Sequence, residues 1–136
     1  MSRARSSPFA IRLDLETGVP VYRQIIDQVL GAIASGALSA GEQLPTVRQL
    51  AVDLSINPNT VIRAYRELEL RDVLTTEQGT GTFVTRKKMK PNDGERRRRL
   101  EQIAAEAVAR AGAEGFTVRE LLDRMRELYD QRQKEN

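Results

Sequence analysis

The 136 residues are 40% hydrophobic and 30% charged, carry a formal net charge of +3 and contain neither Cys nor His. This suits one main core with an appendage and excludes disulfides, thiolate metal sites and catalysis of the Ser/His or Cys/His type. The carboxylates fall mostly in helical patterns beside Lys or Arg, as on a solvated surface, so no enzyme is expected. No apolar run approaches the ~18 residues that would span a bilayer, and the first eight residues lack the apolar centre of a signal peptide, so a cytoplasmic protein is expected. Residues 1–85 hold eight Lys/Arg against nine Asp/Glu, whereas residues 86–136 hold fourteen against ten. Net charge therefore permits a nucleic-acid partner without identifying one, and pattern has to decide.

Residues 1–12 place Arg3, Arg5 and Arg12 among small residues with no period, which predicts a flexible arm. From Val21 the apolar positions Val21, Ile25, Val29 and Ile33, flanked by Ile26 and Leu30, recur at helical spacing until Ser35-Gly36 stops them. Gly41-Glu42-Gln43-Leu44-Pro45 reads as a loop. Thr46 and Gln49 then have the spacing of a capping box, and Val47, Leu50, Ala51 and Leu54 mark a short second helix from Val47 to Leu54. Asn57-Pro58 opens a third, with Asn as the cap and Pro at the first helical position.

Val61, Ala64, Tyr65 and Leu68 form the apolar stripe of this third helix. Its opposite face carries Asn59, Thr60, Arg63 and Arg66, whose groups match phosphates and base edges. Two short helices joined by a few residues, the second with a polar Arg-bearing face, predict a helix-turn-helix. Val73 to Thr76 and Thr82 to Thr85 are β-branched runs around Glu77-Gln78-Gly79-Thr80-Gly81, which predicts a hairpin, here a wing with Gly79, Thr80 and Gly81 at its tip. Tyr65 and Phe83 are expected in the core.

Residues 86–95 have turn formers and Lys without apolar period, a linker, and Arg96 to Arg99 extend the basic stretch. Leu100, Ile103, Ala104, Ala107, Val108 and Ala111 then form one helical stripe ending at Gly112 and Gly115. Thr117 with Glu120 caps a final helix whose stripe is Val118, Leu121, Leu122, Met125, Leu128 and Tyr129. Two such faces need a covering surface, and a second copy of the chain is the expected one. The fold class read here is mainly α with a small β wing. A winged helix-turn-helix over 13–85 is joined by the linker 86–95 to a two-helix dimerisation tail over 96–136.

The order and spacing of five blocks resemble the GntR family of bacterial transcription regulators, and within it the short YtrA-like branch. The blocks are Pro20-Val21-Tyr22 with Gln24-Ile25; Gly36 and Leu38; the run from Gly41 to Ala51; Asn57-Pro58-Asn59-Thr60-Val61 with Arg63-Ala64-Tyr65 and Leu68-Glu69; and Gly79-Thr80-Gly81-Thr82-Phe83-Val84. The resemblance implies a winged-helix DNA-binding domain followed by a variable oligomerisation domain. It implies Arg48 as a phosphate-binding residue beside Thr46, and Asn57, Asn59 and Thr60 as the DNA-facing first turn of the recognition helix, with Gly79 and Gly81 at the wing tip. The chain as given is too short for the aminotransferase-like domain of a longer branch, so no pyridoxal phosphate or other cofactor is expected. Two positions depart from the family pattern: Ile62 stands where larger branches place an Arg, the basic residue here being Arg63, and Asp72 replaces the usual Gly after the recognition helix.

The resulting expectation is a homodimeric repressor that binds a palindromic operator in double-stranded DNA. A small-molecule effector is left unidentified, and would have to bind between subunits or between tail and DNA-binding domain. The alternative is a winged helix used as a protein-interaction module, which would put apolar residues where the third helix carries Asn59, Thr60, Arg63 and Arg66. The scarcity of aromatic residues disfavours RNA.

Overall fold

The first element, α1 (Val21–Ser35), starts where Pro20 ends an extended approach and stops at Gly36, whose φ of 91° no other residue adopts as readily. The computed structural model describes residues 9–86 and 93–135, and the chain divides into two compact units, Met1–Lys87 and Lys88–Asn136. In the first unit α1 is followed by α2 (Val47–Leu54), α3 (Pro58–Leu70), β1 (Leu74–Glu77) and β2 (Gly81–Val84).

The helical stripes read from the sequence meet in one core. Ile25, Ile26 and Val29 of α1, Leu50 and Ala51 of α2, and Val61, Ala64, Tyr65 and Leu68 of α3 are buried together with Leu38, Leu44, Leu74 and Val84. Burial on this scale, at roughly 25 cal/mol per Å² of apolar area, is what holds three short helices that would not persist alone. The expected capping box closes α2: Thr46 Oγ1 accepts from the Gln49 N–H and Gln49 Oε1 accepts from the Thr46 N–H, each at 3.0 Å.

α3 ends in a left-handed turn at Asp72, φ 60°. The Val73 N–H reaches the Leu68 carbonyl at 2.9 Å and the Asp72 N–H reaches that of Glu69 at 3.0 Å, the two bonds of a Schellman motif. The departure at Asp72 thus leaves the family's tight cap in place, built on Asp instead of Gly. The strands are antiparallel, with Leu74 opposite Val84 and Glu77 opposite Gly81.

Three expectations for this unit are corrected. Residues 9–12 do not belong to a loose arm: Ile11 is buried, Phe9 packs against the core, and the Arg12 N–H and carbonyl both bond the Gln28 side chain. Apolar Phe9 and Ile11 are worth more buried than in water, a gain that the surrounding small residues hide from any periodicity count. The stretch Gly41 to Leu44 is more than a loop, since the Leu44 N–H bonds Thr82, the Val84 N–H bonds Glu42 and the Gly41 N–H bonds Val84, which lays it along β2 as a third edge. Phe83 points from this sheet only half-buried, outside the core, whereas Tyr65 is inside it. The remainder of the expected arm, residues 1–8, and most of the expected linker, residues 87–92, lie outside the described residues.

The second unit is a helix pair, α4 (Asp93–Ala113) and α5 (Val118–Glu135). α4 begins at Asp93, inside the stretch read as linker, with Asp93 and Glu95 in its first turn, where carboxylates favour the helix dipole. Gly115, φ 90°, and the bond from the Phe116 N–H to the Ala111 carbonyl close it, and Thr117 and Glu120 form the expected box at the start of α5. Ala107, Ala111 and Leu121 are half-buried where the two helices meet. The rest of both stripes is open: Leu100 is 65% exposed, Ile103 61%, Val118 54%, Leu122 49%, Met125 48% and Leu128 43%. Among the described residues no helix is long and apolar enough to cross a membrane.

Candidate nucleic-acid interface

The α3 stripe that enters the core turns the polar residues outward. Asn59, Arg63 and Arg66 are exposed and Thr60 is half-exposed. At the start of the helix Asn57 Oδ1 accepts from the Asn59 N–H at 2.8 Å and the Asn57 carbonyl accepts from the Thr60 N–H at 3.0 Å. The Asn57 side-chain oxygen, assigned a DNA-facing role from the sequence, is thus engaged as the cap. Its amide nitrogen is the atom left for an outside acceptor.

Asn57, Asn59, Thr60 and Arg63 line one shallow depression of about 360 Å³ together with Val21 and Tyr22 from the start of α1. Thr46 and Arg48 line a different, wider groove, about 830 Å³, with Gln43 and Gln49 among its walls. Arg66 lines neither. Gln43 joins that groove to the wing, because its Nε2 donates to the Thr80 carbonyl at 3.0 Å. Gly81 lies directly against the same Gln43 amide at a φ of 139°, so a Cβ at this position would collide with it. The wing tip is therefore braced from the segment before α2, and the backbone angle at Gly81 is what requires a glycine there.

The frame behind these groups is rigid. Tyr65 on the inner side of α3 donates its hydroxyl to the Pro45 carbonyl at 2.7 Å, one residue before the α2 cap, which ties the middle of α3 to the start of α2. Burial pushes the Tyr65 phenol well above its ordinary range, so it stays a donor. On the wing, Thr76 donates to the Glu69 carboxylate and lies 3.3 Å from Thr82, while Thr75 and Thr85 hydroxyls meet at 3.0 Å.

Arg23 and Arg71, on the flanks, pair with Asp27 and Glu67 of their own helices. Among the described residues Arg48, Arg63 and Arg66 have no carboxylate within 4.0 Å. Arg63 instead stacks on the Tyr22 ring, its guanidinium carbon 3.7 Å from the ring centroid. Three guanidiniums without a carboxylate partner, Arg48 in the first turn of α2 and Arg63 and Arg66 along the exposed face of α3, offer cationic groups suited to a polyanion. Tyr22 and Gln43 were not assigned to this surface from the sequence. Both act across elements distant in the chain, and no spacing rule links residue 22 to 63 or 43 to 80.

The sequence model of the family described as bacterial regulatory proteins, gntR family, matches residues 21–84. The HTH-type transcriptional regulator Rv1152 of Mycobacterium tuberculosis is 40% identical over 107 residues, which are 79% of this chain and 84% of that protein. The HTH-type transcriptional repressor YtrA of Bacillus subtilis is 40% identical over 75 residues, 55% of this chain and 58% of that one. Among solved structures, YtrA from Sulfolobus acidocaldarius, a GntR-family transcription factor, superposes with a TM-score of 0.56 at 33% identity, covering 73% of this chain and 97% of that one.

Proposed function

Because the chain belongs to the GntR family of DNA-binding transcriptional regulators, we propose that it is a repressor that binds a palindromic operator as a homodimer in the cytoplasm. The observation that carries this reading is the outer face of α3, where Asn59, Arg63 and Arg66 are exposed beside half-exposed Thr60 and neither Arg has an acidic partner among the described residues. Arg63, Asn59 and Thr60 are the base-reading candidates, since Arg matches guanine O6 and N7 and Asn matches adenine N6 and N7. Thr46, Arg48, Arg66 and the wing tip at Gly79, Thr80 and Gly81 hold the sugar-phosphate backbone, fixing register without carrying sequence.

The tail supplies the second copy. Its apolar side chains stand 39–65% exposed in Val108, Leu100, Ile103, Val118, Leu122, Met125 and Leu128, more contiguous apolar surface than a soluble monomer ordinarily leaves open. Ala107 and Leu121, expected on the same faces from the sequence, are half-buried where α4 meets α5 and hold the pair that presents them. Twofold pairing is the commonest closed arrangement, and it sets two recognition helices against half-sites related by the same axis.

A binding assay on duplexes selected from a random pool tests the reading. Arg63→Ala is expected to cost about 1–3 kcal/mol and to relax preference at one position of each half-site, whereas Arg48→Ala weakens all duplexes alike and lowers the salt slope by about 0.9 per lost phosphate contact. If folded Arg63→Ala keeps both affinity and preference, the assignment of the α3 face is wrong.

A further inference from the structure

We propose that Tyr22 positions Arg63 for base reading, which makes a side chain of α1 a determinant of the sequence that α3 recognises; this rests on the reading of Arg63 given above. The guanidinium lies over the Tyr22 ring at 3.7 Å, well inside the range in which the negative face of an aromatic ring attracts a cation. The mode of holding matters more than its strength. A carboxylate would hold Arg63 by occupying its N–H donors, the same groups that a base edge requires. A ring uses only the flat face of the guanidinium and leaves the N–H fork in its own plane available for bidentate bonds.

The ring is a fixed object. Tyr22 is half-buried and packs against the core. The turn of chain leading into α1 is held by the buried Gln24, whose Oε1 accepts from the Asp14 N–H at 2.9 Å while its Nε2 donates to the carbonyls of Asp14 and Val19 at 2.8 and 2.9 Å. α1 and α3 are in turn locked together through Ile25, Ile26 and Val29 against Val61, Ala64 and Leu68. An arginine on an exposed helix face otherwise gives up several side-chain rotations when it docks on DNA. Stacked on Tyr22, Arg63 has given them up beforehand, and the orientation in which it waits is set by α1. Tyr22 and Arg63 also line the same depression as Asn59 and Thr60, so the ring lies on the surface that faces the ligand.

The test uses the full chain and duplexes selected from a random 30-base-pair pool. Tyr22→Leu is expected to weaken the selected duplex about two- to fivefold more than it weakens unselected DNA, the range of an exposed cation–π contact, and to relax preference at the same base pair that Arg63→Ala relaxes. In the Arg63→Ala background Tyr22→Leu should have no further effect, and Tyr22→Phe should keep both affinity and preference. A fluorinated phenylalanine series at position 22, which weakens the ring face without changing its shape, should lower the preference in steps and keeps the question answerable if Tyr22→Leu fails to fold. The proposal is overturned if Tyr22→Leu acts equally with and without Arg63, if Tyr22→Phe loses as much as Tyr22→Leu, or if preference sharpens when the ring is removed. Should Arg63→Ala itself leave preference unchanged, the reading of Arg63 falls and takes this one with it. If Arg63→Ala relaxes preference and Tyr22→Leu does not, only the role of Tyr22 is refuted.

Discussion

Replacing Tyr65 by Phe removes one oxygen from the junction of the two DNA-facing helices. The hydroxyl is buried with the rest of the side chain and donates to the Pro45 carbonyl at 2.7 Å. A net hydrogen bond of this kind contributes about 0.5–1.5 kcal/mol, and an acceptor left unmet costs about 1–3 kcal/mol when fully buried. Pro45 is half-buried, so its carbonyl regains part of its solvation and the lower end of that penalty applies. Tyr65→Phe should therefore cost about 1–2 kcal/mol near neutral pH, read as a lower urea midpoint at constant m by far-ultraviolet circular dichroism. The cost should also depend on pH in a defined sense. The Tyr65 phenol is raised above its ordinary value of 10.0 by burial, so the unfolded chain releases this proton first. The contribution of the hydroxyl is complete below about pH 10 and is lost above it, by up to about 1.4 kcal/mol per pH unit, while Phe has no proton to lose. The gap between wild type and variant should thus close near pH 11. Equal midpoints at pH 7 would refute the assignment of this hydrogen bond, and a gap that stays constant up to pH 11.5 would refute the burial that holds the phenol protonated.

Asp72→Gly should raise stability by up to about 1 kcal/mol, because φ 60° strains a residue with a Cβ and glycine offsets part of the relief through its freer unfolded chain; a thermal melt checks this, and a lower midpoint would show that the Asp side chain itself supports the turn. Gly81→Ala should destabilise the wing and reduce DNA affinity, since φ 139° strains a residue with a Cβ and the new methyl group would push the Gln43 amide off the Thr80 carbonyl; an unchanged melt and titration would contradict that strain. Leu122→Glu with Met125→Glu, both on the open face of α5, should yield a monomer in sedimentation that keeps the winged-helix spectrum and binds the selected duplex roughly 100-fold more weakly. A wild-type monomer at micromolar concentration would overturn the proposed pairing.

Local signals made most of the first unit legible. The stripes that predict α1, α2 and α3 are the residues buried in the core, and the Thr46–Gln49 and Thr117–Glu120 boxes and the stop at Gly36 lie where side-chain spacing puts them, because caps and stripes are set by residues three or four apart. The polar face of α3 follows from the same arithmetic: once Val61, Ala64, Tyr65 and Leu68 face inward, Asn59, Arg63 and Arg66 must face out. What spacing does not contain is which distant elements touch. The alignment of Glu42 to Leu44 beside β2, the brace from Gln43 to Thr80, the anchoring of Phe9 and Ile11, and the stacking of Arg63 on Tyr22 each join residues more than ten positions apart. These contacts exist only because the hydrophobic core brings the elements together. Burial of the stripes decides the arrangement of the helices, and the polar contacts form between whatever side chains that arrangement leaves side by side.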